Sequence, residues 1–454
     1  MKKLCLFLII SKLAFAQTIS FEEALNQTIE NSKDLQKQKI NIDIAKTNSD
    51  FIDGVNFGKV SLNSDISRTN HSGYVFMGKL SSRDATFRDF GFIENTGNPN
   101  DIDIDIAPKD LNYPDSYTSI NSYISYDLPL FTGFALYHQK GILKLQEKAN
   151  EILYNLDKKN LEFEVLKAYN SAVLAKDFVK TMQKAKDTIG FIKNGAKEFH
   201  KNGLVTKIDV NEAELYFLNT NSNLIEAENN FKLSLAYLKF LTSNENISDV
   251  ENLQNTYLEI KEFEDLYKIA LKNRDEITLQ NISIEANNKN IKANQGSYYP
   301  SVFTHLEYGY NDDKFSTSKD KDYYMALLGI SLTLFDGTRS ANLEKSRLEY
   351  LKAKLDFEKL QDGIKLEVQK AILDYKAKQE ILKEKILASE LASSVLNQAK
   401  LQYKNRLISM TTLLSQETNY RQSQTMLLNA KYENSLALAR LNLVLGQNLQ
   451  KDYK

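Results

Sequence analysis

Four short runs along the chain alternate between apolar and polar residues, which is the pattern of β-strands with two different faces. From Tyr324 to Leu334 every second residue is apolar or aromatic, and Gly329, Ser331 and Thr333 lie between them. Similar alternation runs through 60–66, 124–130 and 302–310. Each run is about ten residues, the length of a tilted membrane strand. The pattern therefore predicts a sheet with one polar face and one face suited to lipid.

Long segments between these runs predict unusually long helices. None of the five prolines falls between Gly133 and Gln295 or after Pro300. A helix from Gly133 to Gly203 would measure roughly 105 Å, a length typical of coiled coils and helical arrays. Apolar residues follow steps of three and four, which marks a coiled-coil seam; examples are Leu145, Ala149, Ile152 and Leu156, and Leu348, Leu351 and Leu355.

The helical pattern stops briefly at two tips and then restarts. Gly203 is suited to a left-handed helix end, and Thr206 or Asp209 could cap the next helix. The segment at Asn405 and Arg406 has the same place in the second half of the chain. Each half is therefore predicted to contain one long helical hairpin with a tight tip.

The chain is two copies of one unit. Phe21 to Leu25 resembles Phe263 to Tyr267, at an offset of 263 − 21 = 242. Leu130 to Gly133 resembles Leu334 to Gly337, at an offset of 334 − 130 = 204. The first copy therefore holds an insertion, which we place in the polar stretch 69–117. Its aromatic residues suggest that it folds onto the sheet; they include Tyr74, Phe76, Phe87 and Phe90.

The N-terminus has the features of a secretory signal peptide. Lys2 and Lys3 precede an apolar run, and Ala14-Phe15-Ala16 supplies the expected cleavage site. The only cysteine, Cys5, would be removed with this segment. No later stretch reaches 18 uninterrupted apolar residues, so a membrane location would require strands in a closed barrel.

Composition excludes several functional classes. The net charge of −1 lacks the basic footprint of a nucleic-acid partner. The four histidines are scattered without the spacing of metal ligands. We find no nucleophile and base pair and no phosphate loop, so we expect no enzyme, no metal and no cofactor.

The predicted organisation follows from the repeats. It comprises a signal peptide at 1–16, a first repeat at 17–242 (helix, two barrel strands with the insertion 69–117, long hairpin), a linker at 243–261, a second repeat at 262–446 (helix, two barrel strands, long hairpin) and a C-terminal tail at 447–454.

In these features the chain resembles the TolC family of outer-membrane efflux proteins, also called outer membrane factors. The resemblance rests on the signal peptide, the paired strand-to-helix junctions at Phe131 and Gly133 and at Phe335 and Gly337, and the hairpin tips. It implies an α+β membrane protein: a homotrimeric 12-stranded β-barrel, with four strands from each chain, joined to a long α-helical coiled-coil barrel. The insertion would be an extended extracellular loop, and the linker and chain ends would form a belt around the helices.

The resemblance also implies a mechanism. The trimer would sit in outer-membrane lipid, extend into the periplasm and act as the passive exit duct of a tripartite efflux or type I secretion system. An inner-membrane pump of RND or ABC type would do the energy-coupled work. A periplasmic adaptor, or membrane fusion protein, would dock on the tips and open them. The docking residues would be Asn202, Gly203, Leu204 and Val205, and Asn405, Arg406 and Leu407.

The family's closed gate implies a further set of residues at the periplasmic end. Tyr403 matches a tyrosine and Asp209 an aspartate that hold the closed state in known members. Ile408 stands at the position of their arginine, and Thr412 and Ser415 stand where they carry a ring of aspartates. The gate should therefore have fewer polar links and a weaker cation-attracting ring, unless Glu417 replaces the ring.

One alternative from another class is a periplasmic coiled-coil structural or adaptor protein without a pore. An adaptor would carry one hairpin flanked by β-domains, whereas this chain has two hairpins, each preceded by strands of membrane length. Asp209 and Tyr403 also have plain structural interpretations, as a helix cap and as seam packing. Sequence does not separate drug efflux from protein secretion.

Overall fold

The computed structural model describes residues 17–92, 105–252 and 262–447. The signal peptide 1–16, the middle of the insertion, part of the linker and nearly all of the tail lie outside the described residues. Two compact units are present. The helical unit comprises Met1–Ile42, Ala149–Asn281 and Lys354–Lys454, and the sheet unit comprises Asp43–Lys148 and Ile282–Ala353.

Ten α-helices occur in the described part of the chain. They are α1 (Phe21–Asn31), α2 (Lys33–Asn56), α3 (Ser72–Ser81), α4 (Lys109–Asn112), α5 (Ala135–Lys201), α6 (Lys207–Thr242), α7 (Phe263–Asn273), α8 (Asp275–Gln295), α9 (Arg339–Lys404) and α10 (Met410–Val444). Helices α5 and α9 contain 67 and 66 residues. Both lengths agree with the absence of proline over these segments, because proline in a helix interior costs about 3 kcal/mol.

Six strands complete the described elements. They are β1 (Gln17–Ile19), β2 (Lys59–Thr69), β3 (Tyr117–Thr132), β4 (Ile247–Val250), β5 (Ser301–Asp312) and β6 (Asp322–Ser331). The expected strand alternation to Leu334 overruns the observed end of β6 by three residues, since 334 − 331 = 3. The four predicted long strands all form, in one antiparallel sheet of order β2-β3-β5-β6.

Residues that are paired in register lie on the same face of the sheet. By this criterion the sheet has one polar and one apolar face. Lys59, Asp127 and His305 lie opposite one another across β2, β3 and β5, on the polar face. That face carries a hydrogen-bonded network: His305 contacts Asp127 (2.6 Å) and Glu307 (3.2 Å), and Tyr323 bonds Glu307 and Asn121. The other face is apolar and largely exposed within the chain, and includes Val60, Leu62, Ile66, Ile124, Leu328 and Ile330.

The sequence repeat corresponds to matching elements. Helices α1 and α7 start at an offset of 263 − 21 = 242, and α6 and α10 at 410 − 207 = 203. The junctions after β3 and β6 nevertheless differ. At Gly133, with φ +62°, an added Cβ would lie 2.2 Å from the carbonyl oxygen of Gly296, so only glycine fits. Around Gly337 nothing lies within 4 Å, and Phe335 is exposed.

One of the apolar clusters of the helical unit lies where α1 and the short parallel pair β1–β4 meet α5 and α6. Tyr169 of α5 is 1% exposed, and its hydroxyl donates to the carbonyl oxygens of Ile19 (2.9 Å) and Glu251 (3.0 Å). The segment after the expected cleavage site thus pairs with the linker.

The insertion is more compact than an extended loop in the part that the structure describes. It contains α3, a 3-10 turn at Phe87–Phe90 and α4. Helix α3 contacts β3 and β5, so this part folds against the sheet as its aromatic content suggests. Periodicity does not predict α3, because its ten residues make less than three turns.

Candidate gate at the hairpin tips

The first tip ends α5 in a Schellman arrangement. The N–H of Leu204 donates to Phe199 O (2.8 Å), and the N–H of Gly203 donates to His200 O (2.9 Å). Gly203 has φ +69°, the left-handed conformation that this helix end requires. Nothing surrounds the position of its missing Cβ within 4 Å, so the backbone conformation alone selects glycine here.

The second tip repeats the same geometry without glycine. The N–H of Leu407 donates to Gln402 O (2.8 Å), and the N–H of Arg406 donates to Tyr403 O (2.9 Å). Arg406 takes φ +60° at the position equivalent to Gly203. A residue with a Cβ pays about 1–2 kcal/mol in this conformation. The second tip is therefore strained where the first is relaxed.

Both restarting helices are capped by a side chain, but in different ways. At the first tip Thr206 Oγ1 accepts from the N–H of Asp209 (3.3 Å), and Asp209 Oδ2 accepts from the N–H of Thr206 (2.8 Å). At the second, Ser409 Oγ accepts from the N–H of Thr412 (3.1 Å). Asp209 and Thr412 are equivalent positions, and only the first tip has a reciprocal capping box with an acidic residue.

Tyr403 and Asp209 are neighbours that do not bond. Burial of the hydroxyl, together with the negative charge of Asp209, raises the pKa of Tyr403. Tyr403 Oη is buried and has no hydrogen-bond partner among the described residues. Its ring lies 6.1 Å from that of Phe199, measured between centroids. A buried hydroxyl without a partner costs about 1–3 kcal/mol, so this position is poised to gain a bond.

The other predicted gate residues occupy different surroundings. Ile408 packs against an apolar cluster formed at the tips by Ile192, Ala196, Val210, Ala213, Leu396, Ala399, Met410, Leu413 and Leu414. Thr412 and Ser415 are exposed, so their side chains face solvent within a single chain. By the resemblance to the TolC family, Ile408 thus places an apolar side chain at the arginine position, and Thr412 and Ser415 place neutral hydroxyls at the aspartate positions.

Glu417, the residue that could replace the acidic ring, is buried within the single chain. It is 2% exposed, and its Oε2 atom has no hydrogen bond in the described structure. Burial raises its pKa, although Arg421 (Nε to Oε2 3.8 Å) and Lys400 oppose the shift. Helical geometry separates it by about 200° from Ser415, which explains why one residue is buried and the other exposed.

Sequence reasoning missed one polar link between the two hairpins. The Thr411 hydroxyl on α10 donates to Glu212 Oε2 on α6 at 2.9 Å. The two residues stand 199 positions apart, so no local pattern could indicate the pair. Within α5 and α6, Glu214 also binds Lys193 (3.4 Å) and Lys197 (3.2 Å).

No helix in the described residues combines the length and the apolar character that crossing a membrane requires.

Several solved structures with the same fold are described as outer-membrane channels or outer-membrane proteins. CusC, whose crystal structures concern folding and transmembrane channel formation, matches this chain with a TM-score of 0.77 at 14% identity. The match covers 95% of this chain and 93% of CusC. The CmeC outer membrane channel of Campylobacter jejuni has a TM-score of 0.74 at 14% identity, with 94% and 85% covered. VceC, an outer membrane protein of Vibrio cholerae, has a TM-score of 0.74 at 14% identity, with 94% and 96% covered.

The sequence comparison adds the family. No curated protein sequence matches the chain significantly. Residues 266–447 match the family model described as "Outer membrane efflux protein". The second repeat thus carries the sequence pattern of that family, and the chain as a whole has the fold of outer-membrane channels. Within residues 266–447 the chain is thus similar in sequence to the outer membrane efflux protein family.

Proposed function

We propose that three copies of this chain form the passive exit duct of a tripartite efflux or type I secretion system. The four-stranded sheets would close into one 12-stranded barrel in the outer membrane. The long helices would form a tunnel through the periplasm. An inner-membrane pump of RND or ABC type would drive transport, and a periplasmic adaptor protein would open the tips.

The open sheet carries this proposal. Among the described residues, strands β2 and β6 each have a neighbour on one side only, which leaves two unpaired edges. Unpaired edges are unfavourable in lipid, where every backbone polar group needs a partner, whereas the exposed apolar face is suited to lipid and unfavourable in water. Four strands cannot enclose a pore, but twelve strands from three chains can. Closure would pair β6 of one copy with β2 of the next.

Exposed apolar stripes on the long helices support the same assembly. On α6 the spacing is seven, three and seven, at Ile208, Leu215, Leu218 and Ile225, each at least half exposed. On α9 a second stripe runs through Leu366, Leu373, Leu387 and Leu391. Such seams are stable in water only against another helix. We assign them to contacts between copies.

At the periplasmic end we assign adaptor docking to Asn202 through Val205 and to Asn405 through Leu407. The gate would comprise Tyr403, Asp209, Ile408, Thr412 and Ser415. The unpaired Tyr403 hydroxyl supports this assignment, because rotation of Asp209 away from its cap would supply a bond. We also propose the division into a signal peptide 1–16, repeats at 17–242 and 262–446, a linker at 243–261 and a tail at 447–454.

The decisive experiment is membrane fractionation followed by native mass measurement of the detergent-extracted protein. We expect a trimer from the outer membrane that forms ion channels in planar bilayers. A soluble periplasmic monomer would refute the duct and favour a structural coiled-coil protein.

A matched pair of variants tests the helical seam. Leu215→Glu with Leu218→Glu places charge in the proposed interface and should strongly reduce the trimer fraction. Asn223→Glu with Asn230→Glu adds the same two negative charges at exposed positions about 90–110° around the helix from this stripe, and should leave the trimer intact. Equal trimer fractions in both proteins would contradict the placement of the seam.

A further inference from the structure

Helix α3 of the insertion lies on the polar face of the sheet. An added Cβ at Gly78 of α3 would lie 3.1 Å from the ring of Tyr117 and 3.6 Å from Cβ of Ser119. The backbone fixes the position of a Cβ atom, so the contact with Cβ of Ser119 shows on which face of the sheet α3 lies. Ser119 is in register with Ser67 and two positions from Asn121, on the polar face that carries Asp127 and His305.

Helix α3 buries one side against this face and exposes apolar residues on the other. Val75, Gly78 and Ser82 are buried, at the spacing of three and four that defines one side of a helix. Tyr74, Met77 and Leu80 are 70%, 59% and 41% exposed. Met77 and Leu80 lie opposite the buried side. An exposed apolar surface on a helix that already has a partner needs a separate explanation.

The C-terminal end of α3 is fastened to the loop between β5 and β6. Arg83 donates to the carbonyl oxygens of Asp320 (2.8 Å) and Asp322 (2.7 Å). Lys321 donates to Ser82 O (2.6 Å) and to the carboxylate of Asp84, and Asp312 lies 3.7 Å from its ammonium. The Ser82 hydroxyl also bonds the Tyr117 hydroxyl (2.6 Å). These links hold α3 across the end of the sheet where β2 stops and β3 starts.

We propose that α3 forms an apolar constriction inside the outer mouth of the duct, with Tyr74, Met77 and Leu80 of three copies facing the pore axis. This inference rests on the proposed function, since lipid takes the apolar face of a closed barrel and the polar face lines the pore. Each α3 would then project inward from the wall. Its apolar side would meet the same side of the other two copies.

Such a ring would select among solutes. Apolar constrictions resist hydrated ions, because water leaves a narrow apolar passage, while they accept amphipathic or apolar solutes at lower cost. Ion conductance of the intact duct would thus be limited at its outer end, independently of the periplasmic tips.

The test is single-channel recording on the full-length reconstituted protein. Met77→Ser with Leu80→Ser removes the apolar side, and we expect conductance to rise at least about twofold. Arg83→Ala with Lys321→Ala releases the same helix from the β5–β6 loop, and should raise conductance or its fluctuations. Wild-type conductance in both variants would overturn the proposal.

A thiol probe supplies an independent readout. The only cysteine of the chain is Cys5, in the expected signal peptide, so Met77→Cys gives a single thiol in the mature protein. A cationic methanethiosulfonate reagent added from the outer side should block its current. Tyr113→Cys, at a position that is 82% exposed outside α3, should react without block. Reaction of Met77→Cys without any change in current would refute the constriction. A wild-type protein that forms no channels would instead refute the duct itself.

Discussion

Exchanging the residues at the two hairpin tips isolates the cost of one backbone conformation. Arg406 and Gly203 have nearly the same φ, +60° and +69°, and equivalent hydrogen bonds. A non-glycine residue in this conformation costs about 1–2 kcal/mol, and replacing Arg406 by glycine removes that cost. Part of the gain is offset because glycine makes the unfolded tip more flexible. We therefore expect Arg406→Gly to stabilise the second tip by about 1 kcal/mol.

Amide hydrogen exchange measures this change locally. The N–H groups of Arg406 and Leu407 close the end of α9, so their exchange reports opening of the tip. A gain of about 1 kcal/mol slows exchange about fivefold in peptides that cover the second tip. Exchange elsewhere in α9 should not change, because the substitution touches only the last turn.

The reciprocal variant is the control. A Cβ added at Gly203 meets no heavy atom within 4 Å, so Gly203→Arg introduces the conformational cost without a clash at Cβ. Exchange at the first tip should accelerate about fivefold. If Arg406→Gly does not slow exchange while Gly203→Arg accelerates it, the side chain of Arg406 compensates for its own strain. If neither variant changes exchange, the assignment of strain to φ is refuted.

Three further predictions concern other parts of the chain. Gly133→Ala should sharply lower the yield of folded protein, because its Cβ would overlap Gly296 O, whereas Gly337→Ala, in open space, should express normally. Tyr169→Phe removes the donor to Ile19 O and Glu251 O and should cost about 1–3 kcal/mol, measurable as faster exchange in β1 and β4. Burial raises the pKa of Glu417, so the folded state binds its proton more tightly than the unfolded state, and stability should increase as pH falls from 7 through that raised pKa. Glu417→Gln should reduce this pH dependence of the thermal midpoint, and an unchanged dependence would exclude Glu417 as its source.

Periodicity was sufficient for the elements that repeat over many residues. Alternation identified the four long strands, and the absence of proline identified α5 and α9, because both signals accumulate along the element. The ends of elements depend on single contacts. Strand β6 ends at Ser331 although the alternation continues to Leu334, since pairing with β5 stops where β5 begins at Ser301.

The candidate gate was less predictable because its contacts join distant residues. The tip sequence indicated Gly203 and the cap at Thr206, which are local features. It could not show that Asp209 bonds its own helix start instead of Tyr403, or that Thr411 reaches Glu212. Burial of Glu417 likewise depends on how α10 packs on its neighbours, which spacing along one helix does not determine.

Each chain contains two β-hairpins, β2–β3 and β5–β6, which the pairing of β3 with β5 joins side by side. In the proposed ring, β6 of one copy pairs with β2 of the next copy. This contact would again join the second strand of one β-hairpin to the first strand of the following β-hairpin, as β3 and β5 do within the chain. The proposed ring would then consist of six similar hairpins, joined alternately within and between polypeptides. Only the first hairpin of each pair carries α3. Gene duplication thus would have allowed one hairpin to acquire a helix while its twin remained plain, reducing an ancestral sixfold symmetry to threefold.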